Sequence, residues 1–271
     1  MPRFSTICIW WICASLSALL PSCGSSVEYD RGPEGMRWKL LAYRDRGGGL
    51  DSAEIIYMDA VVLSTRGDTL AQYFDTGFTA SADSLWWWLK TKKLGDSLEI
   101  VRTTPDFLYP HTAPGDTVIY RLAIDRMRSA RELADAKTAE WLYLDSLIRT
   151  DSVRVHYREF NEVYLRVLAP GDTSRPVTKG KGVVISYLGA LPDGTVFDDS
   201  RQAAGPLEFV YGNEGQVIRG LEVALAALHR GSRARVIIPS RLAFGDGSKI
   251  GRILPPYSTV VYYVSVEEVA R

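Results

Sequence analysis

Toward the C-terminal end of the chain, apolar side chains fall on every second position. Val260, Tyr262, Val264 and Val266 share one face of a strand, and Val183, Ile185 and Tyr187 do the same earlier. A strand with one apolar face is half-buried, so Tyr187 and Tyr262 are expected to point into a core. Between these runs the period changes. In GQVIRGLEVALAALHRG, residues 215–231, Leu221, Ala224, Leu225 and Leu228 recur at helical spacing, Glu222 lies early, and His229 and Arg230 precede Gly231. An acid at the start, bases at the end and a glycine beyond are the dipole and cap signals of a short helix. A longer helical pattern, RSARELADAKTAEWLYLDSLIRTDS from Arg128, lacks Gly and Pro and offers Leu133, Trp141, Leu144 and Ile148 as a packing stripe. About 22 helical residues span roughly 33 Å, enough to hold two small domains apart. The same helix folded back on one domain is the other reading, and the pattern leaves both open.

The segments on either side of that helix repeat an order of events. RWKLLAYRDRGGGLDSAEIIYMDAVVLSTRGDT, residues 37–69, lies without gaps over VYLRVLAPGDTSRPVTKGKGVVISYLGALPDGT, residues 163–195, with few identities. Phe74 and Asp75 then match Phe197 and Asp198. A helical pattern ending in Gly follows at Leu85–Gly95 and at Leu221–Gly231, and a strand at Ser97–Thr103 and at Arg233–Pro239. Each copy closes with a proline and a β-rich run, DTVIYRLAI from Asp116 and STVVYYVSV from Ser258. Agreement in successive blocks points to two copies of one plan, antiparallel strands with a helix over one face, which is an α+β layout. In the first copy LWWWLK sets Trp86, Trp87 and Trp88 on successive helical positions. Turned by about 100° each, they cannot all face one core, so one or two are expected at the surface or at an interface.

Composition changes the picture mainly at the N-terminus. The 271 residues, 46% hydrophobic and 24% charged, are globular in composition and leave room for roughly two domains. Basic and acidic residues balance at 32 each, so no basic field recommends nucleic acid as a partner. Arg3, the apolar stretch Ile7–Leu20 and then Pro21, Ser22 and Cys23 have the three parts of a secretory signal over residues 1–22. The apolar run is shorter than the ~20 residues a membrane span needs. LLPSC resembles a bacterial lipobox, which implies cleavage before Cys23, acylation of that residue, and a lipidated tether over residues 23–35. All three cysteines, Cys8, Cys13 and Cys23, lie in or just after the signal, which leaves no disulfide scaffold in the mature chain. Acyl chains would anchor the protein to a membrane. The expected address is the bacterial cell envelope, on the outer membrane, facing the periplasm or the surface. His111, His156 and His229 are too scattered for a metal site, and no cofactor is called for.

YLGALPDGTVFDDS, GQVIRGLEVALAALHRGSRARVIIPSRLAFG and ILPPYSTVVYYVSV, in that order, resemble the FK506-binding-protein family of peptidyl-prolyl cis-trans isomerases over Tyr164–Val269. The resemblance implies a twisted, half-open antiparallel sheet curled around a short helix in residues 159–271. The internal repeat extends that fold, in degenerate form, to residues 36–127, with residues 128–158 as a helical linker. The whole looks like the lipoprotein members of the family. The family's catalytic positions fall on Tyr187, Phe197, Asp198, Phe244 and Tyr262. Its substrate-binding positions fall on Leu207, Phe209, Val217, Ile218, Leu221, Ile253 and Leu254.

The chemistry implied explains why the helix carries no nucleophile. Rotation about an X-Pro amide breaks no bond; it meets a resonance barrier of about 18–20 kcal/mol and takes tens of seconds unaided. An apolar cavity that disfavours the charge-separated planar amide and grips the twisted one lowers that barrier by differential binding. Asp198 would sit at the pocket edge, holding the twisted carbonyl or a neighbouring tyrosine; as a plain turn acid beside Asp199 it would do neither. Leu221 stands where well-known members have tryptophan, Phe244 where they have tyrosine, and Leu207 where they have an aromatic residue. No residue is carried over between Asp246 and Arg252. The expected partners are proline-containing polypeptides, and the resemblance extends to macrolide inhibitors such as FK506. In the first copy Val61 replaces Tyr187, SADSL replaces the VIRG stretch and TAPG replaces ILPP, so no working pocket is expected there. Two rival readings are a non-catalytic binding lipoprotein that keeps the pocket for docking, and a chaperone using the tryptophans.

Overall fold

The alternating runs pair into two antiparallel sheets, one on either side of the long helix. The computed structural model describes residues 28–44, 47–79, 81–111, 113, 116–202, 205–250 and 252–270. The expected signal segment, Cys23 and the start of the expected tether lie outside them.

The first sheet contains β1 (Asp30–Arg31), β2 (Arg37–Ala42), β3 (Ala53–Ser64), β4 (Thr69–Thr79), β5 (Ser97–Arg102) and β6 (Val118–Ser129), in the spatial order β1-β2-β5-β6-β3-β4. Between β4 and β5 runs α1 (Ser84–Leu89), started by Asp83, whose Oδ1 accepts the Leu85 N–H at 2.7 Å. Leu85, Trp86 and Leu89 are buried against the sheet, while Trp87 is 60% exposed. Trp88 is half-buried and meets Trp38 edge-on at 5.1 Å. Helical rotation thus divides the three tryptophans between core, rim and solvent.

The linker becomes α2 (Ala130–Ile148) and α3 (Asp151–His156). Ser129 and Glu132 close a capping box at its start: the Glu132 N–H donates to Ser129 Oγ at 3.3 Å and the Ser129 N–H to Glu132 Oε2 at 2.8 Å. The expected apolar stripe is corrected. No residue of α2 is fully buried, and Trp141 is 65% exposed. The helix docks on the second half through its neighbour Glu140, a polar anchor, and through Leu147, which packs beside Val153, Ile237 and Val261. Of the two dispositions left open, the helix adopts the folded-back one.

The second sheet contains β7 (Arg158–Phe160), β8 (Val163–Ala169), β10 (Gly182–Ala190), β11 (Val196–Asp199), β14 (Arg233–Ile238) and β15 (Val260–Val269), in the order β11-β10-β15-β14-β8-β7, with β12 (Leu207–Val210) also paired to β10. Outside it, β9 (Asp172–Pro176) pairs with β13 (His229–Arg230). Across the sheet lies α4 (Arg219–Leu225), which buries Gly220, Leu221, Ala224 and Leu225. This helix is shorter than its pattern suggested. Ala227 and Leu228 bond back three residues, to Ala224 O and Leu225 O, so the last turn tightens. His229 and Arg230 then leave the helix to form β13, and Gly231, at φ +78°, turns the chain into β14. The halves thus share the α+β composition, with strands in the parallel sequences β2-β5-β6-β3-β4 and β8-β14-β15-β10-β11.

Candidate active site

The site lies where β10, β11, β15 and α4 converge. Antiparallel register sets Gly189 of β10 opposite Tyr262 of β15, and Tyr187 opposite Val264. Tyr187 and Tyr262 come together with ring centroids 5.7 Å apart. Phe197 of β11 stands edge-on to Tyr262 at 5.9 Å and to Phe244 at 5.9 Å, the latter delivered by the loop after β14. Edge-to-face packing holds aromatic walls upright without closing the space between them. Tyr187, Phe197 and Phe244 are only half-buried, whereas Tyr262 is buried.

Leu221 of α4, Phe209 of β12 and Leu254 are buried in the same core, and Leu207, Val217 and Ile218 pack against it from partly buried positions. Ile253 lies outside this core. It is 63% exposed, beside the buried Leu254.

Asp198 follows Phe197 on β11 and is half-buried. Burial raises the pKa of the Tyr187 hydroxyl, and so do the Asp198 charge and a hydrogen bond to that carboxylate. Burial, then Asp198 and then Tyr187, raise Tyr262 well above the ordinary tyrosine value. Both phenols therefore remain protonated donors at pH values below about 10. Two donors, one carboxylate at the edge and apolar walls can seat a small ring and orient a carbonyl. Among the described residues no group of three or more His, Cys, Asp or Glu side chains is placed to hold a metal ion.

Several shaping residues escaped sequence reasoning. A Cβ on Gly189 would lie 2.8 Å from Phe197 Cζ and 3.2 Å from Tyr262 Cε1, so a glycine here lets the two rings approach. A Cβ on Gly220 would lie 2.2 Å from Ile238 Cγ2, so α4 sits on β14 only because that position is bare. Buried Ser200 fixes β10: its Oγ accepts the Tyr187 N–H at 2.9 Å, and its own N–H donates to Tyr187 O at 3.0 Å. Ile250, in the segment left unassigned, packs on the same core. The glycines of YLGA and IRGL were visible signals; the roles of Ser200 and Ile250 depend on tertiary contacts.

With this geometry in place, comparison with known proteins is specific. Residues 173–267 match the family model described as FKBP-type peptidyl-prolyl cis-trans isomerase. The peptidyl-prolyl cis-trans isomerase Fkbp12 of Drosophila melanogaster is 39% identical over 102 residues, which is 38% of this chain and 93% of that protein. An FK506-binding protein of Neisseria meningitidis serogroup C is 33% identical over 95 residues, covering 35% of this chain and 85% of its own length. Among solved structures, FkpA from Escherichia coli aligns at 26% identity and a TM-score of 0.44, over 52% of this chain and 62% of that one. Identity at this level across nearly whole relatives falls on the segment that carries the aromatic site, and through that segment the chain belongs to the FKBP-type peptidyl-prolyl cis-trans isomerases.

Proposed function

We propose that this protein catalyses cis-trans isomerisation of X-Pro bonds in folding or assembling proteins of a bacterial cell envelope, held to a membrane by lipid on Cys23. The observation that carries the catalytic part is the half-open group of Tyr187, Phe197, Phe244 and Tyr262 around Asp198. In this reading a proline ring enters between the aromatic walls and rests on Leu221, with Leu207, Phe209, Val217, Ile218 and Leu254 completing the apolar lining. Ile253 contacts the client from the lip. The apolar walls disfavour the charge-separated planar amide, and the Asp198 carboxylate, held at the edge by the Tyr187 hydroxyl, repels the carbonyl oxygen less once twisting lowers its negative charge; each ~1.4 kcal/mol of that preference is tenfold in rate. FK506-type macrolides would compete for the same walls. Residues 36–127 act as a degenerate copy of the isomerase fold with no pocket, a reading supported by the parallel strand order and the matched blocks of sequence.

The test is isomerisation of a short X-Pro peptide by residues 24–271 beside a Phe197→Ala, Asp198→Ala double variant. Acceleration by the wild type, reduced about a hundredfold in the variant, is expected; a folded wild type without acceleration would defeat the proposal. Palmitate labelling of the precursor, abolished by Cys23→Ala, checks the anchor separately. A second reading, a surface for unfolded clients, draws on exposed Trp87. Trp87→Ala would then weaken suppression of client aggregation and leave peptide isomerisation intact.

A further inference from the structure

The loop between β14 and β15, residues 239–259, brings Phe244, Ile250 and Leu254 to the site. It is gripped at both ends by parts of the chain outside the isomerase segment. At its roots, Glu140 of α2 accepts hydrogen bonds from the Ser240 N–H and hydroxyl, each at 2.6 Å, and from the Thr259 hydroxyl at 2.9 Å. Ser240 and Thr259 are both buried, so one carboxylate ties together the two places where the loop leaves the sheet. At its tip, the Arg252 N–H donates to Asp75 Oδ2 at 2.8 Å, and the Arg252 guanidinium pairs with Asp125 and lies 3.6 Å from Asp75 Oδ1.

The receiving surface is built to hold still. The Asp75 N–H donates to Asp59 Oδ1 at 2.7 Å, and Asp75 Oδ1 accepts from Arg126 at 2.9 Å. Arg126 in turn lies 3.5 Å above the Tyr57 ring. Beside it, a Cβ on Gly77 would come within 2.8 Å of the Ser248 carbonyl oxygen, so β4 and the loop meet backbone to backbone.

We propose that Glu140 and the Arg252–Asp75–Asp125 cluster are positioning residues of the isomerase: the linker helix and the first half of the chain together brace the 239–259 loop in its substrate-ready form. This rests on the isomerase reading above. A loop that is ready only part of the time weakens apparent affinity by that fraction, whereas a bound complex already has the loop in place. Loss of the brace therefore raises KM more than it lowers kcat, provided bond rotation is slow relative to peptide release.

The experiment compares the full chain with Arg252→Ala, Arg252→Lys, Glu140→Ala and Glu140→Gln, following X-Pro peptide kinetics together with hydrogen exchange of the amides of residues 245–250. Arg252→Ala and Glu140→Ala are each expected to raise KM about fivefold with kcat within about twofold, and the Lys and Gln variants to recover most of the loss. Exchange of the loop amides should quicken in both alanine variants. Unchanged KM in both, or a fall in kcat alone, would overturn the proposal. If the wild type does not isomerise peptides, the functional reading fails, and exchange still decides the brace: quickened amides keep it and unchanged amides remove it.

Discussion

The two halves run their strands in one order and use the space between sheet and helix in opposite ways. In the first half Trp86 and Tyr120 are fully buried, and the loop after β5 drives Phe107 to 6.0 Å from Trp86 and 5.5 Å from Phe78. Leu108 is buried beside it, and Asp106 pins the turn by accepting the Leu108 and Tyr109 N–H groups at 2.8 and 3.0 Å. In the second half Tyr262 occupies the position matched to Tyr120, but the corresponding loop sets Phe244 upright at the rim and leaves Tyr187, Phe197 and Phe244 half-open. One scaffold is plugged by its own loop and the other is left receptive. Where the loop places its phenylalanine, rather than strand order, separates the two halves.

The largest expected effect lies in the plug. The Arg102 side chain is almost fully buried, 2.9 Å from Glu34, 3.5 Å from Asp83 and 3.6 Å from Asp106. Arg102→Ala strands the buried Asp106 carboxylate, whose pKa burial already raises, and should destabilise the first half by about 3–5 kcal/mol in denaturant melts. A cost below about 1 kcal/mol would mean that the network does not lock the loop.

Acid should separate the halves next. Burial works against ionisation of Glu99, but hydrogen bonds from Lys39, Tyr29 and Arg121 outweigh it and bring its pKa from 4.5 down to about 2. A carboxylate with a depressed folded pKa stabilises the fold above its unfolded value, and that contribution is lost as pH falls from about 4.5 toward about 2. After solvent screening this is worth about 1–2 kcal/mol, and Glu99→Gln should flatten the acid limb. Tryptophan emission reads the first half and the linker selectively, since no tryptophan follows Trp141.

Smaller effects probe the receptive half. Gly189→Ala pushes against Phe197 and Tyr262 and should lower kcat/KM about tenfold while the chain still folds; unaltered kinetics would mean the rings can shift at no cost. Ser200→Ala takes the acceptor from the Tyr187 N–H and should cost about 1 kcal/mol of stability, with a drop of about threefold in kcat/KM. In the plugged half, Ser81→Ala removes an acceptor from the Asp83 N–H at a less buried place and should leave isomerisation unchanged.

Local pattern carried the strands, the long helix after Arg128 and the division of the tryptophans, because each depends on neighbours a few positions away. The apolar residues assigned to the site came from the family resemblance, and the structure gathers most of them in one core while leaving Ile253 exposed. The readings that failed needed tertiary information. The Leu221-to-Leu228 spacing continues past the true end of α4, yet β9 claims His229 and Arg230 as a strand. The stripe on α2 favoured Trp141, yet the docking residue is Glu140, chosen by the hydroxyls it meets in the other half. Ser200 and Ile250 look ordinary in sequence; only their partners across the fold give them work.

Gly77 lies outside the segment that matches the isomerase family, yet the backbone of the catalytic loop passes so close that a side chain there would collide with it. The two halves are therefore not interchangeable modules. An isomerase segment transplanted onto another N-terminal partner would lose the surface on which its loop rests, and a search for inactivating mutations should find hits in the half outside the matched segment.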